Sequence, residues 1–159
     1  MEYNTLLRKL PIGIQTFEKL RKENYLYVDK TALVWRIANT GKPYFLSRPR
    51  RFGKSLLLST FEAYFLAIEK METEWKKFPI LHLDLNAKKY ETPADLIAML
   101  NQTLEKWEIV YGNEKKDRSP EERFAYVIER AYEQAGCGVV VLVDEYDKPL
   151  LQALDNDAL

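Results

Sequence analysis

The sequence predicts an α/β protein, with a parallel sheet covered by a layer of helices on each face. Two observations carry this expectation. Short runs of β-forming residues alternate along the chain with longer runs whose apolar positions recur every three or four residues. One short run, Val139-Val140-Val141-Leu142-Val143, is apolar throughout, which is the pattern of a strand buried on both faces of a parallel sheet. At 159 residues the chain is the size of one domain, 1–159, and can bury a core.

The elements follow in order. Residues 1–16 read as an extended lead-in broken by Pro11 and Gly13. Phe17 to Lys22 reads as a short helical turn and Tyr25 to Val28 as a short strand. Asp29 is a good N-cap for a helix over Thr31 to Asn39, with Leu33, Val34 and Ile37 at helical spacing and Gly41 just beyond its end. Tyr44-Phe45-Leu46 is expected to be the first core strand. A helix carrying Leu57, Leu58, Phe61 and Phe65 follows a basic loop. Charged residues from Glu69 to Lys77 make a solvated connection to a partly alternating strand over Pro79 to Leu85. Thr92-Pro93-Ala94-Asp95 starts the next helix, whose Leu96, Leu100, Leu104 and Trp107 form one apolar stripe. Ser119-Pro120-Glu121-Glu122 is a capping box for a helix bearing Phe124, Val127, Ile128 and Ala131, closed by Gly136. After the apolar strand, Asp147-Lys148-Pro149 turns the chain into a last short helix.

Composition narrows the function. Twenty-four basic and 24 acidic residues cancel, so no global charge draws the chain to nucleic acid or to a membrane. The single cysteine, Cys137, excludes an internal disulfide and fits a reducing compartment; a small buried thiol is expected there. No apolar run approaches the roughly 20 residues that span a bilayer. The N-terminus lacks the charged-then-apolar pattern of a signal peptide, and a cytoplasmic location is expected. His82, the only histidine, has no second His or Cys nearby and reads as structural.

The chemistry concentrates in two stretches. In Ser47-Arg48-Pro49-Arg50-Arg51-Phe52-Gly53-Lys54-Ser55, an apolar run leads in and a helix leads out. Such a strand–loop–helix turn offers helix N–H groups and a partial positive charge to a phosphate. Gly53 lets an anion approach the backbone, Lys54 can reach outer phosphates, and the Ser55 hydroxyl can ligate Mg²⁺. Arg48 stands where the general G-x-x-x-x-G-K-[ST] pattern has its first glycine. The second stretch is Asp144-Glu145, two carboxylates closing the apolar strand, where open α/β sheets bind ligands. Asp144 can hold Mg²⁺ through water, and Glu145 can polarise an attacking water. Together they predict a three-layer P-loop NTPase-like core. Its Asp144 strand is expected to lie beside the loop-bearing strand, with the Ile80 strand outside it. Asp84 ends that strand and reads as a loop-capping carboxylate.

With these residues on the page, the chain resembles the AAA-ATPase-like family, bacterial and archaeal P-loop proteins often followed by a PD-(D/E)XK nuclease-like domain. The resemblance rests on Tyr27-Val28-Asp29-Lys30-Thr31, on Arg48 to Leu56, and on Val143-Asp144-Glu145-Tyr146-Asp147-Lys148-Pro149-Leu150. Family members share the arginine-rich loop, so Arg48 follows the family. The resemblance implies ATP and Mg²⁺ as ligands. It implies nucleotide contacts over Arg50, Arg51, Phe52, Gly53, Lys54, Ser55 and Leu56, metal ligation by Ser55 and Asp144, and a catalytic role for Glu145. It also implies a further strand with a polar sensor residue, so the chain is expected to be truncated after its Walker B strand, with little ATPase activity by itself. The E-x-K spacings at Glu74-Trp75-Lys76 and Glu114-Lys115-Lys116 fall in charged connections and read as chance, so no nuclease-like domain is expected within the chain.

Two other functions compete with a Mg-dependent ATPase core. One is a nucleotide switch or a catalytically inactive binding module. The other is a nucleic-acid module using Arg48, Arg50 and Arg51; the neutral charge and the lack of an aromatic stacking array argue against it. An exposed edge at Tyr44-Phe45-Leu46 is expected to invite self-association.

Overall fold

The computed structural model describes residues 8–47, 52–66, 77–86 and 89–155. The chain gathers into two compact units, Met1–Lys76 and Lys77–Leu159. Helices and a small parallel sheet place it in the α/β class.

The first unit is helical among its described residues: α1 (Phe17–Lys22), α2 (Thr31–Ala38) and α3 (Lys54–Phe65). Both α1 and α2 pack on α3. Phe17, Leu20, Val34 and Ala63 are buried, with Thr60 beside them. The most buried positions of α3 are therefore its small residues, which allow close approach of its neighbours, while Leu57, Leu58, Phe61 and Phe65 are half-buried. Phe17 meets Tyr27 edge-on, with ring centroids 5.2 Å apart. Asp29 acts as a cap from one position further out than expected. Lys30 is the N-cap, and Asp29 Oδ1 accepts from the Thr31 backbone N–H at 2.8 Å and from its hydroxyl at 2.6 Å. These two bonds lower the Asp29 pKa, the hydroxyl contributing most.

Two expected strands of this unit do not form. Tyr25–Val28 and Tyr44–Leu46 lie outside any β-ladder. The reason is that a strand is stabilised by a partner across the ladder, not by its own composition. Tyr44-Phe45-Leu46 is only three residues behind Pro43, which has no N–H to donate. The Glu69–Lys76 connection lies outside the described residues.

The second unit holds β1 (Ile80–Asp84), α4 (Pro93–Tyr111), α5 (Pro120–Ala135), β2 (Val140–Asp144) and α6 (Lys148–Asp155). β1 and β2 pair in parallel, in register from Ile80 opposite Val140 to Asp84 opposite Asp144. Both helix starts fold as their sequences dictate. Thr92 and Asp95 make a capping box, as do Ser119 and Glu122, and Pro93 and Pro120 each stand in a first helical turn, where the missing N–H costs nothing. Gly136 closes α5 at φ 61°. Leu85, Tyr90 and Met99 form a buried cluster onto which Leu83, Leu96, Leu100 and Tyr146 pack, so α4 is fastened to the C-terminal end of the sheet. Cys137 is a buried thiol whose Sγ donates to the Lys77 carbonyl at 3.6 Å.

The apolar run of β2 is not buried on both faces. Leu142 is 8% exposed, but Val141 and Val143 are each 39% exposed. Among the described residues the sheet has two strands, so β2 pairs on one side only, with β1, and the loop-bearing strand expected beside it has not formed. The α4–α5 pairing also holds a feature absent from the apolar pattern. Arg123 and Glu108, 6% and 5% exposed, form a two-pronged ion pair with both N···O distances 2.7 Å, and Arg123 Nη1 donates to Asn101 Oδ1 at 2.6 Å. Its bonds to Glu108 hold the Arg123 pKa above the ordinary guanidinium value.

Candidate functional site

In the first unit, Gly53 is the N-cap of α3 and adopts φ 76°, ψ 26°, a left-handed conformation that L side chains rarely take. A Cβ built there meets nothing within 4 Å among the described residues, and the backbone angle is what favours glycine. The first intrahelical bond runs from Leu57 N–H to Gly53 O, at 3.0 Å. The N–H groups of Ser55 and Leu56 therefore fall in the turn that precedes any intrahelical acceptor. No acidic residue stands in this first turn, and Gly53 has no side chain with which to cap it. Lys54, Ser55 and Leu56 are half-buried, and Phe52 is exposed. This is a local positive end, shaped for an anion. Arg50 and Arg51 lie outside the described residues.

Sequence reasoning missed Ser59, one helical turn beyond Ser55. Its Oγ accepts the Phe17 N–H at 2.9 Å and lies 2.9 Å from the Leu56 carbonyl. The start of α1 is thereby tied to the helix that follows the loop. The signal for it was a pair of hydroxyl residues, Ser59-Thr60, directly after Leu56-Leu57-Leu58.

In the second unit, Asp84 and Asp144 end neighbouring parallel strands in register. Asp84 Oδ1 accepts the Asn86 N–H at 2.8 Å, the loop-capping role expected of it. Asp144 Oδ1 accepts the Glu145 N–H at 3.0 Å, and Asp144 O accepts the Leu85 N–H at 3.1 Å. Glu145 itself has φ 52°, an uncommon angle for a residue with a Cβ. Tyr90 lies under this edge; its hydroxyl donates to Leu85 O at 2.9 Å, and burial, together with the Asp84 charge, raises its pKa.

Oxygen donors are what Mg²⁺ takes: the Ser55 hydroxyl in the first unit, the Asp144 carboxylate in the second. Among the described residues no three His, Cys, Asp or Glu side chains converge as a metal cage. The structure thus brings Gly53, Lys54, Ser55 and Leu56 to one helix start and Asp144 and Glu145 to one strand end, each set within its own unit.

The profile of the AAA-ATPase-like family, described as predicted AAA-ATPase, matches residues 11–159. The chain belongs to this family. It is also 40% identical over 157 residues to an uncharacterized protein in the vnfD 5′ region of Azotobacter chroococcum mcd 1. That alignment takes in 92% of this chain and 30% of the relative, so the chain spans less than a third of the relative's length. No solved structure matches it. Among the described residues no helix is long and apolar enough to cross a membrane.

Proposed function

We propose that this chain is an ATP-binding P-loop domain of three-layer design, the Mg-dependent ATPase core of a larger protein. Family membership supports an ATPase-like domain. The observation that carries the nucleotide reading is left-handed Gly53 at the head of a helix that opens with Lys54-Ser55 and has no acidic residue in its first turn. In this reading backbone N–H groups and Lys54 hold the phosphates, and Ser55 and Asp144 hold Mg²⁺. When bound, the ion neutralises charge on the outer phosphates. Glu145 accepts a proton from the attacking water, and Arg50 and Arg51 add positive charge at the terminal phosphate. Phosphoryl transfer needs positioning more than covalent help, which suits a site built from cationic side chains, one hydroxyl and two carboxylates.

The test is calorimetric titration with Mg-ATP. Lys54→Ala removes a charge-assisted contact of about 1.5–3 kcal/mol, so affinity falls by about tenfold or more. Equal binding by wild type and Lys54→Ala would remove the loop as the site. Strongly salt-dependent DNA binding that Arg50→Ala or Arg51→Ala abolishes would favour a nucleic-acid module instead.

A further inference from the structure

One lysine closes the turn between β2 and α6. The Glu145 carbonyl accepts the Lys148 N–H at 3.0 Å, and Glu145 holds its left-handed angle inside that turn. The Lys148 side chain then reaches back to the end of β1. Its Nζ donates to Asn86 O at 2.8 Å and to Asn86 Oδ1 at 3.0 Å, and it stands 5.9 Å from the centroid of the Tyr90 ring. Asn86 and Tyr90 are each held by a further bond. Asn86 N–H donates to Asp84 Oδ1, and Tyr90 N–H donates to Gln152 Oε1 of α6 at 2.8 Å. A circuit therefore runs from Asp144 through Glu145 and Lys148 to Asn86 and back along β1 to the Asp84–Asp144 register pair.

We propose that Lys148 is a positioning residue for Glu145. Its ammonium locks the left-handed turn to the end of β1 and so fixes the direction in which the Glu145 carboxylate leaves the strand. The proposal rests on the reading of Glu145 as the group that polarises water. A compact ammonium with three donors on a flexible stem suits this task, since it meets two oxygens of a single asparagine. Two of its protons are committed to Asn86, which sets Lys148 apart from a phosphate ligand. A left-handed non-glycine residue persists only where its surroundings hold it, and loss of the clamp lets the backbone relax. Misplacement of a catalytic group by about 1 Å costs on the order of a hundredfold in rate.

Two measurements test the clamp, both made on the larger protein of which this chain is proposed to be the ATPase core. The first is Mg-ATP turnover by wild type, Lys148→Met, Asn86→Ala and the double variant. Lys148→Met keeps the stem and removes the ammonium. We expect kcat to fall about tenfold or more in each single variant, with KM within about twofold. The double variant should be no worse, because both changes break one contact; Lys148→Arg should recover part of the loss. The second is hydrogen exchange, which reads the turn without chemistry. The Leu85 and Lys148 amides should exchange at least about tenfold faster in Lys148→Met, with α5 amides unchanged. Unchanged exchange at those two amides overturns the clamp, and so does a wild-type kcat or a loss shared equally by kcat and KM. A wild-type chain that binds no Mg-ATP overturns the ATPase reading, and this proposal with it, and is recognised because the defect shows in the unsubstituted protein.

Discussion

Replacing Gly53 by alanine separates what the backbone needs from what a phosphate needs. Gly53 holds φ 76° at the N-cap of α3, and Gly136 holds φ 61° at the C-cap of α5. A Cβ added at either position meets nothing within 4 Å among the described residues, so neither substitution crowds a described neighbour. Each therefore costs the left-handed backbone term alone, about 1–2 kcal/mol. For a chain of this size about 1 kcal/mol lowers the melting temperature by about 2–4 °C, and both variants should show it alike in calorimetry or circular dichroism. Binding should tell them apart. At Gly53 the new methyl stands where an anion approaches the N–H groups of the first turn. Loss of one charge-assisted contact there is worth about 1.5–3 kcal/mol, or about tenfold or more in Mg-ATP affinity. Gly136→Ala carries the same strain with no such site and should bind as wild type does. Two results would refute the reasoning: Gly53→Ala binding within about twofold of wild type, or Gly136→Ala losing as much affinity as Gly53→Ala.

In the full-length protein Glu145→Gln keeps the shape of the side chain and removes its basicity; kcat should fall by about 10²–10⁴ with nucleotide affinity retained, and turnover at the wild-type rate would remove Glu145 from the chemistry. Asp144→Asn, by contrast, should weaken Mg-ATP binding and turnover together. Glu108→Ala leaves Arg123 buried without its partner, so chemical denaturation should show a loss of about 3–5 kcal/mol, while Glu108→Leu combined with Arg123→Met should recover most of it; a single-variant loss under about 1 kcal/mol would mean the pair is solvated. The Glu122 carboxylate accepts the Ser119 backbone N–H, the largest cause of its lowered pKa, and pairs with Arg118. A depressed value in the folded state stabilises α5 above the unfolded glutamate pKa of about 4.3, and that contribution fades as pH falls through the lower folded value. An NMR titration of the Glu122 carboxyl with a midpoint at or above the unfolded value would contradict the cap.

Sequence alone determined whatever is settled within a few residues. Ser119 and Glu122, like Thr92 and Asp95, cap helices because each pair lies three residues apart and meets whenever the helix forms. Gly53-Lys54-Ser55 marked the head of α3 as a loop-to-helix turn, and the structure adds the left-handed angle that glycine takes most readily. The apolar run closing on Asp144 marked β2, and Asp84 was legible as a loop cap. Tertiary structure decided everything that depends on a distant partner. Tyr44-Phe45-Leu46 has the composition of a strand and lies in none, since composition supplies no ladder partner. Val141 and Val143 lie partly open because β2 has one strand beside it among the described residues, a count no local pattern encodes. Arg123 and Glu108 lie 15 residues apart on different helices, and only the packing of α4 against α5 makes them a buried pair. Lys148 and Asn86 stand 62 residues apart, and the bond that ties Glu145 to the end of β1 exists only once the parallel pair has brought those residues to the same edge.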